Sequence, residues 1–391
     1  MRWQPCGPEA RQKGLERVAP LGYHDAMSDG AGPMRIPELR RRIDEIDSEI
    51  LGLLNRRAEL VLDVGRLKAE QNLDFHVPQR EEEIYRRLTA ENPGPFPAQA
   101  VRPVFREVIS ACLSLEHPLR VGYLGPRATF AHLAAMERFG LSAQFLAMRS
   151  IAEVFAEVEK DNADFGVVPV ENSTEGVVSH TLDMFVDSPL LICGEVVVEA
   201  ALHLLSKAPD LGAVRKIYSH PHGLAESRKW LERNASHVPV VETSSTGAAA
   251  EIAASEPGAA AIASELAASL YDLSVLQRRI EDHPNNFTRF LIIGKKSAPP
   301  TAVDKTSILF SIKDRVGALH RMLLPFAERQ INLTKIESRP SKKKVWEYVF
   351  YVDFEGHASD PERRAALARL QEDCIFLKVL GSYAAAKPGE A

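Results

Sequence analysis

Cysteine is scarce in this sequence: Cys6, Cys112, Cys193 and Cys374 are the only four among 391 residues. They lie far apart and form no C-x-x-C pair, so neither a zinc site nor a disulfide framework is predicted. His220 and His222 have no carboxylate at metal-ligand spacing, so no metal is expected there. We expect reduced thiols in a cytoplasmic protein that carries neither a metal nor a cofactor.

Long apolar runs and a strong excess of one charge are missing as well. No run approaches the ~18 apolar residues that a membrane-spanning helix needs. The 48 Lys and Arg against 53 Asp and Glu give a net charge of -5, which argues against nucleic-acid and membrane-surface partners. A hydrophobic content of 45% is that of an ordinary globular protein, and 391 residues predict two or three domains.

The first 34 residues contain several prolines and glycines but no apolar period. They also lack the apolar segment of a signal peptide. We expect residues 1–34 to be a disordered N-terminal extension, with Met27 and Met34 as alternative starts.

Residues 35–117 are predicted to be all-helical. A seam with spacings of four and three predicts one helix of about 36 residues, roughly 54 Å long. The members of this seam are Leu39, Ile43, Ile46, Ile50, Leu53, Arg57, Leu60, Val64 and Leu67. Two shorter helices are predicted, one beginning at Pro78 and one from about Ala98 to Glu116. Because a long helix cannot bury its own seam, we expect self-association.

Two cations in this helix are candidates for binding an anion. Arg57 interrupts the apolar seam, and Lys68 falls on nearly the same face about three turns later. They could hold a small dianion between them, although Arg57 could instead extend to solvent or pair with a partner helix. Arg40 lies roughly 25 Å from Arg57 and on another face. It could complete the site only from an antiparallel partner, which favours an intertwined dimer.

The remaining chain divides by pattern into an α/β part and an α+β part. Between residues 119 and 294, short β-rich runs alternate with helices, which predicts an α/β domain with mostly parallel strands. Residues 295–304 have the composition of a linker. Residues 305–383 follow the order β-α-β-β-α-β, which is ferredoxin-like, and residues 384–391 form a tail.

Three segments of the helical part, Leu39–Asp47, Val64–Lys68 and Arg80-Glu81, resemble the all-helical chorismate mutases in order and spacing. The resemblance implies that Arg40 of a neighbouring subunit, Arg57 and Arg80 contact the substrate. Lys68 would meet the ether oxygen whose bond breaks, and Glu81 the ring hydroxyl. Val77 would contribute its backbone N–H, while Cys112 and Glu116 would face the pocket.

This residue set suits the rearrangement of chorismate to prephenate. The reaction needs a flexible dianion held in its folded conformer and donors directed at the oxygen that gains charge. Arg57, Lys68 and Glu116 are the residues assigned to catalysis. Glu116 can donate to the ether oxygen only when protonated, so mutase activity is expected to fall as the pH rises above neutrality.

Five motifs resemble the prephenate dehydratases over residues 120–294. They are Gly125–Phe130, Val168–Gly176, Ser219–Pro221, Ser244–Thr246 and Asn286–Phe290. The resemblance implies two α/β lobes with a cleft, like the periplasmic binding proteins, and a reaction that removes carbon dioxide and hydroxide from prephenate. Thr288 would be the essential catalytic residue, and Arg289 would bind a substrate carboxylate. Thr129, Asn172, Ser173 and Thr174 would line the pocket. Ala128 and His222 stand where relatives often have glycine and glutamine.

Two segments near the C-terminus resemble the phenylalanine-binding motifs of ACT regulatory domains. They are Asp314–Leu319 and Glu337–Pro340, and the implied ligand residues are Gly317, Ala318, Leu319, Glu337, Ser338, Arg339 and Pro340. Since such domains bind their ligand between paired subunits, feedback inhibition by phenylalanine would require a homo-oligomer, either a dimer or a tetramer.

Two other functions remain open from the sequence alone. An arogenate dehydratase would act on a substrate with an amine where prephenate has a ketone; the fused mutase favours prephenate, because it makes that compound. A non-enzymatic amino-acid sensor would combine a two-lobed binding domain with an ACT domain. The joint presence of Arg57, Lys68 and Thr288 argues against it.

Overall fold

The computed structural model describes residues 35–71, 76–312, 315–340 and 348–386. The expected disordered extension, Asp314 and most of the expected tail lie outside these residues. None of the helices formed by the described residues is long and apolar enough to cross a membrane. The described residues divide into two units, one that ends at Leu53 and one that begins at Leu54.

The helical region begins with three helices: α1 (Ile36–Gln71), α2 (Pro78–Glu91) and α3 (Ala98–Glu116). The predicted long helix and its two shorter successors are therefore confirmed. In the second unit, Gly65 of α1 allows a close approach to α3, because a Cβ there would lie 2.9 Å from Cγ of Glu116. The apolar seam of α1 is exposed; Ile43, for example, retains 56% of its accessible surface.

The first sheet of the α/β region has the strand order β2-β1-β3-β11-β5, with β4 paired to β3. Its strands are β1 (Arg120–Leu124), β2 (Gln144–Met148), β3 (Phe165–Asn172), β4 (Gly176–Val177), β5 (Leu191–Glu199) and β11 (Phe287–Gly294). The helices that join them are α4 (Phe130–Phe139), α5 (Ile151–Glu159) and α6 (Ser179–Asp187). The sheet is buried on both faces, since α4 packs on one core and α5 and α6 on another.

The second sheet has the order β10-β6-β9-β7-β8. Its strands are β6 (His203–Ser206), β7 (Lys216–Ser219), β8 (Val240–Glu242), β9 (Ala259–Ala263) and β10 (Ser274–Gln277). Its helices are α7 (Pro221–Glu226), α8 (Arg228–Asn234), α9 (Thr246–Ser255) and α10 (Glu265–Tyr271), with a 3-10 turn at Leu211–Ala213. Two sheets, each with its own helices, form the two expected lobes.

The expectation of mostly parallel strands is wrong. Four strand pairs are parallel and five are antiparallel. The chain leaves the first sheet after β5 and returns only as β11, which enters between β3 and β5 and runs opposite to both. In the second sheet β6 likewise runs against β9.

The C-terminal region is a four-stranded antiparallel sheet with two helices, as the ferredoxin-like pattern predicts. The sheet order is β13-β14-β12-β15. The elements are β12 (Asp304–Ile312), α11 (Ala318–Glu328), β13 (Leu333–Pro340), β14 (Tyr348–Glu355), α12 (Pro361–Asp373) and β15 (Cys374–Ala384). One face packs on α11 and α12. The other face shares a core with the first sheet of the α/β region, through Leu309 and Tyr351 among others.

Candidate active sites

Thr288 lies at the start of β11, directly opposite Asn172 of β3. Nδ2 of Asn172 donates to Oγ1 of Thr288 at 2.9 Å and to Oδ1 of Asn286 at 2.8 Å. The amide oxygen of Asn172 accepts the backbone N–H groups of Thr174 and Glu175, which fixes its orientation. Because the Thr288 hydroxyl accepts from Asn172, its own proton can be donated to a bound molecule.

Ser173 holds this cluster together across the two strands. Its backbone N–H donates to the carbonyl of Phe287 at 2.8 Å, and its Oγ accepts the N–H of Phe287 at 2.9 Å. Its hydroxyl also lies 3.4 Å from Oδ1 of Asn286. The structure therefore brings Asn172, Ser173 and Thr288 together, as the sequence predicts.

Two residues of this cluster were not among the predicted site residues. Asn286 is buried, and its Nδ2 donates to Oε1 of Glu226 at 2.5 Å. Burial, together with the negative charge of Glu175, raises the pKa of Glu226 to about 7, although the bond from Asn286 opposes this. Asn286 is the first residue of the Asn286–Phe290 motif, whereas Glu226 lies on α7, outside the Ser219–Pro221 motif. Only the helix geometry brings it to the cluster.

Thr129 and Thr174 make different contributions from those expected. The Thr129 hydroxyl caps α4, where it accepts the N–H of His132 and donates to backbone carbonyls. No hydrogen bond among the described residues joins it to Thr288. Thr174 is exposed and supplies only its backbone N–H to Asn172. Ala128 has a φ of 65°, a left-handed conformation that glycine adopts more readily than alanine.

The structure does not place Arg289 with Thr288, which corrects its expected role as a carboxylate ligand. Neighbouring residues of a strand point to opposite faces, so Arg289 faces the C-terminal sheet. Its guanidinium donates to Glu195 at 2.6 Å, to Asp353 at 2.7 Å and to the Tyr383 hydroxyl at 2.9 Å. Only 13% of the side chain is exposed, and all three nitrogens are engaged.

The second unit contains a candidate anion site between α1 and α3. Nζ of Lys68 lies 3.2 Å from Oε2 of Glu116, whose side chain is only 5% exposed. Cys112 is buried one turn before Glu116. Nη1 of Arg57 is buried and has no hydrogen-bond partner among the described residues. A buried cationic donor without a partner is costly, so this arrangement favours a negatively charged ligand.

The other predicted mutase residues lie elsewhere in the described structure. Glu81 accepts from His76 at 3.2 Å and from Arg138 of α4 at 3.2 Å. Burial alone would raise the pKa of Glu81, but His76 and Arg138 lower it to about 2. Arg80 bonds Glu83, and 65% of its side chain is exposed. The hydrogen bonds and ion pairs of Glu81 and Arg80 among the described residues go to His76, Arg138 and Glu83. Val77 precedes α2, where its backbone carbonyl accepts N–H groups, and Arg40 is an exposed residue of the first unit.

The predicted regulatory residues lie at the start of α11 and along β13. Gly317 precedes α11 with a φ of 73°, followed by buried Ala318 and by Leu319, which is 40% exposed. Glu337, Ser338, Arg339 and Pro340 end β13. Nε of Arg339 donates to Asp183 of α6 at 3.1 Å.

Three protein-family models match the chain in sequence order. Chorismate mutase type II matches residues 39–117, prephenate dehydratase residues 121–298, and the ACT domain residues 306–372. A bifunctional chorismate mutase/prephenate dehydratase of Aquifex aeolicus is 53% identical over 352 residues, covering 89% of this chain and 97% of that protein. One from Pseudomonas aeruginosa is 45% identical over 355 residues, with coverage of 89% and 97%.

A solved structure is also similar to this chain. It is a prephenate dehydratase from Arthrobacter aurescens in complex with L-Phe, 33% identical, with a TM-score of 0.64. The match covers 68% of this chain and 90% of that one.

Proposed function

Because this chain belongs to the bifunctional chorismate mutase/prephenate dehydratases with an ACT domain, we propose that it converts chorismate to phenylpyruvate at two separate sites and is inhibited by phenylalanine. Membership of this family assigns both the chorismate mutase and the prephenate dehydratase activity to the chain. The assignment of residues to each step and the regulation by phenylalanine are the proposal.

The observation that carries the dehydratase assignment is the hydrogen-bonded set Asn172–Asn286–Thr288. Formation of an aromatic ring provides the driving force, so the protein must orient prephenate and help the hydroxyl leave. A hydroxyl proton donated by Thr288 assists that departure, and Asn172 holds the hydroxyl in place.

For the mutase step, Arg57 and Lys68 bind the chorismate dianion in its folded conformer. Arg57 offers a buried donor without a partner, and Lys68 can turn from Glu116 to the ether oxygen. The exposed seam of α1 supports a homodimer in which Arg40 of the neighbouring subunit completes the site.

Glu116 is expected to act beside Lys68 at the ether oxygen. If Lys68 turns to that oxygen, a neutral donor at position 116 can also donate to it, whereas a carboxylate can only accept. Glu116→Gln should therefore keep or raise the mutase rate with chorismate, whereas Glu116→Ala should lower it. Equal rates for Glu116→Gln and Glu116→Ala would exclude this role for Glu116.

Phenylalanine regulation is supported by contacts between the C-terminal sheet and the residues next to the dehydratase cluster. Lys335 of β13 bonds Glu171 at 2.7 Å, and Glu171 precedes Asn172. Asp353 of β14 bonds Arg289, which follows Thr288. A ligand that shifts β13 or β14 would therefore act on both sides of the dehydratase cluster.

We expect phenylalanine to slow prephenate dehydration, and Gly317→Ala to weaken that inhibition. Alanine at a φ of 73° is strained, by roughly 1–2 kcal/mol, so the turn before α11 should shift and the half-inhibitory concentration should rise. Val316→Ala is the matched control, because Val316 is 98% exposed and adjacent. Equal inhibition of wild type and Gly317→Ala would exclude this ligand position.

A further inference from the structure

We propose that Glu226 is the acid that protonates the hydroxyl leaving prephenate. The inference rests on the dehydratase activity and adds a residue to that site. It starts from the position of Glu226, which comes from the second lobe and meets residues of the first lobe.

Glu226 ends α7 in the second lobe, whereas Thr288 and Asn172 belong to the first sheet. A continuous set of hydrogen bonds joins them: Glu226 to Asn286 at 2.5 Å, Asn286 to Asn172 at 2.8 Å, and Asn172 to Thr288 at 2.9 Å. The carboxyl group therefore faces the same polar cluster as the Thr288 hydroxyl, from the opposite lobe. A substrate bound in the cleft would lie between them.

The bond from Asn286 occupies only one carboxyl oxygen. Oε1 accepts from Asn286, while Oε2 accepts no hydrogen bond from the described residues. A protonated Oε2 could therefore donate to a substrate oxygen while Oε1 stays fixed. Thr288 can donate a hydrogen bond but cannot transfer its proton completely to the leaving oxygen, because a threonine alkoxide is too basic to form at neutral pH.

The proton balance of the reaction requires such an acid. The bond between the ring and its carboxylate breaks, and its electron pair forms a ring double bond. The ring electrons shift and break the carbon–oxygen bond opposite, and the departing oxygen takes the proton of Glu226. The products are carbon dioxide, water and phenylpyruvate, and the Glu226 carboxylate regains its proton from solvent.

The surroundings of Glu226 keep part of it protonated near neutral pH. The carboxylates of Glu175, from the β3–β4 turn, and Glu281, after β10, face it, and both raise its pKa. His222 of α7 lies nearby, but its Nδ1 is paired with Glu175 at 2.5 Å. Because the acid form is the active one, the dehydratase rate should fall as the pH rises through about 7.

The test compares wild type, Glu226→Gln and Glu232→Gln with prephenate as substrate between pH 5.5 and 9. Glutamine keeps the hydrogen bond from Asn286 but has no acidic proton, so kcat should fall by about 100-fold or more. KM should change by less than about threefold, and the fall in rate at alkaline pH should disappear. Glu232 is the matched control on α8; it is 61% exposed, and its loss should change kcat less than about twofold.

The outcomes separate this inference from the family activity. An active wild type with a Glu226→Gln variant of similar kcat and the same alkaline fall contradicts the inference alone. A wild type that does not dehydrate prephenate contradicts the activity itself and the inference with it. If circular dichroism shows that Glu226→Gln is unfolded, Glu226→Asp decides: a lower rate with the alkaline fall retained supports the inference, and an unchanged rate contradicts it.

Discussion

Replacing Thr288 by alanine is expected to lower kcat for prephenate dehydration by about 10²- to 10³-fold, the effect of losing one preorganised donor. The mutase rate with chorismate should be unchanged, because Thr288 belongs to the Asn172–Asn286 cluster of the first sheet, whereas Lys68 and Glu116 lie on α1 and α3. Asn172 would lose its acceptor on Thr288 but keep Asn286 at 2.8 Å, so the cluster should stay folded. Initial rates with each substrate, measured on the same preparation, give both values.

Thr288→Ser is the control for this substitution. Serine keeps the hydroxyl that accepts from Asn172 and donates to the substrate, so it should retain far more activity than alanine. Equal losses for serine and alanine would mean that the methyl group, not the hydroxyl, matters. Full activity of Thr288→Ala would remove Thr288 from the mechanism.

Replacing Arg57 by alanine is expected to abolish most mutase activity, by about 100-fold or more in kcat/KM, because a charged contact to the dianion is lost. The unliganded protein should lose no stability, since Nη1 of Arg57 has no hydrogen-bond partner among the described residues. A thermal unfolding midpoint equal to or above that of wild type is therefore predicted.

Arg56→Ala is the matched control for this substitution, because Arg56 is adjacent and exposed. It should leave both activities close to wild type. Prephenate dehydration should also be unchanged in Arg57→Ala. A mutase rate within threefold of wild type in Arg57→Ala would contradict the anion site between α1 and α3.

The helical region and the C-terminal module could be predicted well because their signals are local. The seam with spacings of four and three predicts α1 almost to the residue, and Pro78 marks the start of α2. The order of elements likewise predicts the ferredoxin-like module. Strand direction in the α/β region could not be read in this way, because it depends on β11 returning to the first sheet after the whole second lobe.

The site residues divide according to whether a motif or a tertiary contact places them. Asn172 and Thr288 come together because their motifs lie on paired strands. The role predicted for Arg289 was wrong because all residues of the Asn286–Phe290 motif were assigned to one site. Successive residues of a strand point to opposite faces, which separates the side chain of Arg289 from that of Thr288. Glu226 and the pairing of Glu81 with Arg138 depend on how helices pack against other parts of the chain, which no local pattern shows.

The most direct measurement is a time course of chorismate, prephenate and phenylpyruvate with wild type, Arg57→Ala, Thr288→Ala and an equal mixture of the two variants. Wild type should produce phenylpyruvate, Thr288→Ala should stop at prephenate, and Arg57→Ala should leave chorismate nearly untouched. The mixture should again produce phenylpyruvate, since each variant retains one intact site. The proposal that this chain has two separate active sites is contradicted if one substitution abolishes both activities in a folded protein. It is also contradicted if wild type leaves chorismate unchanged.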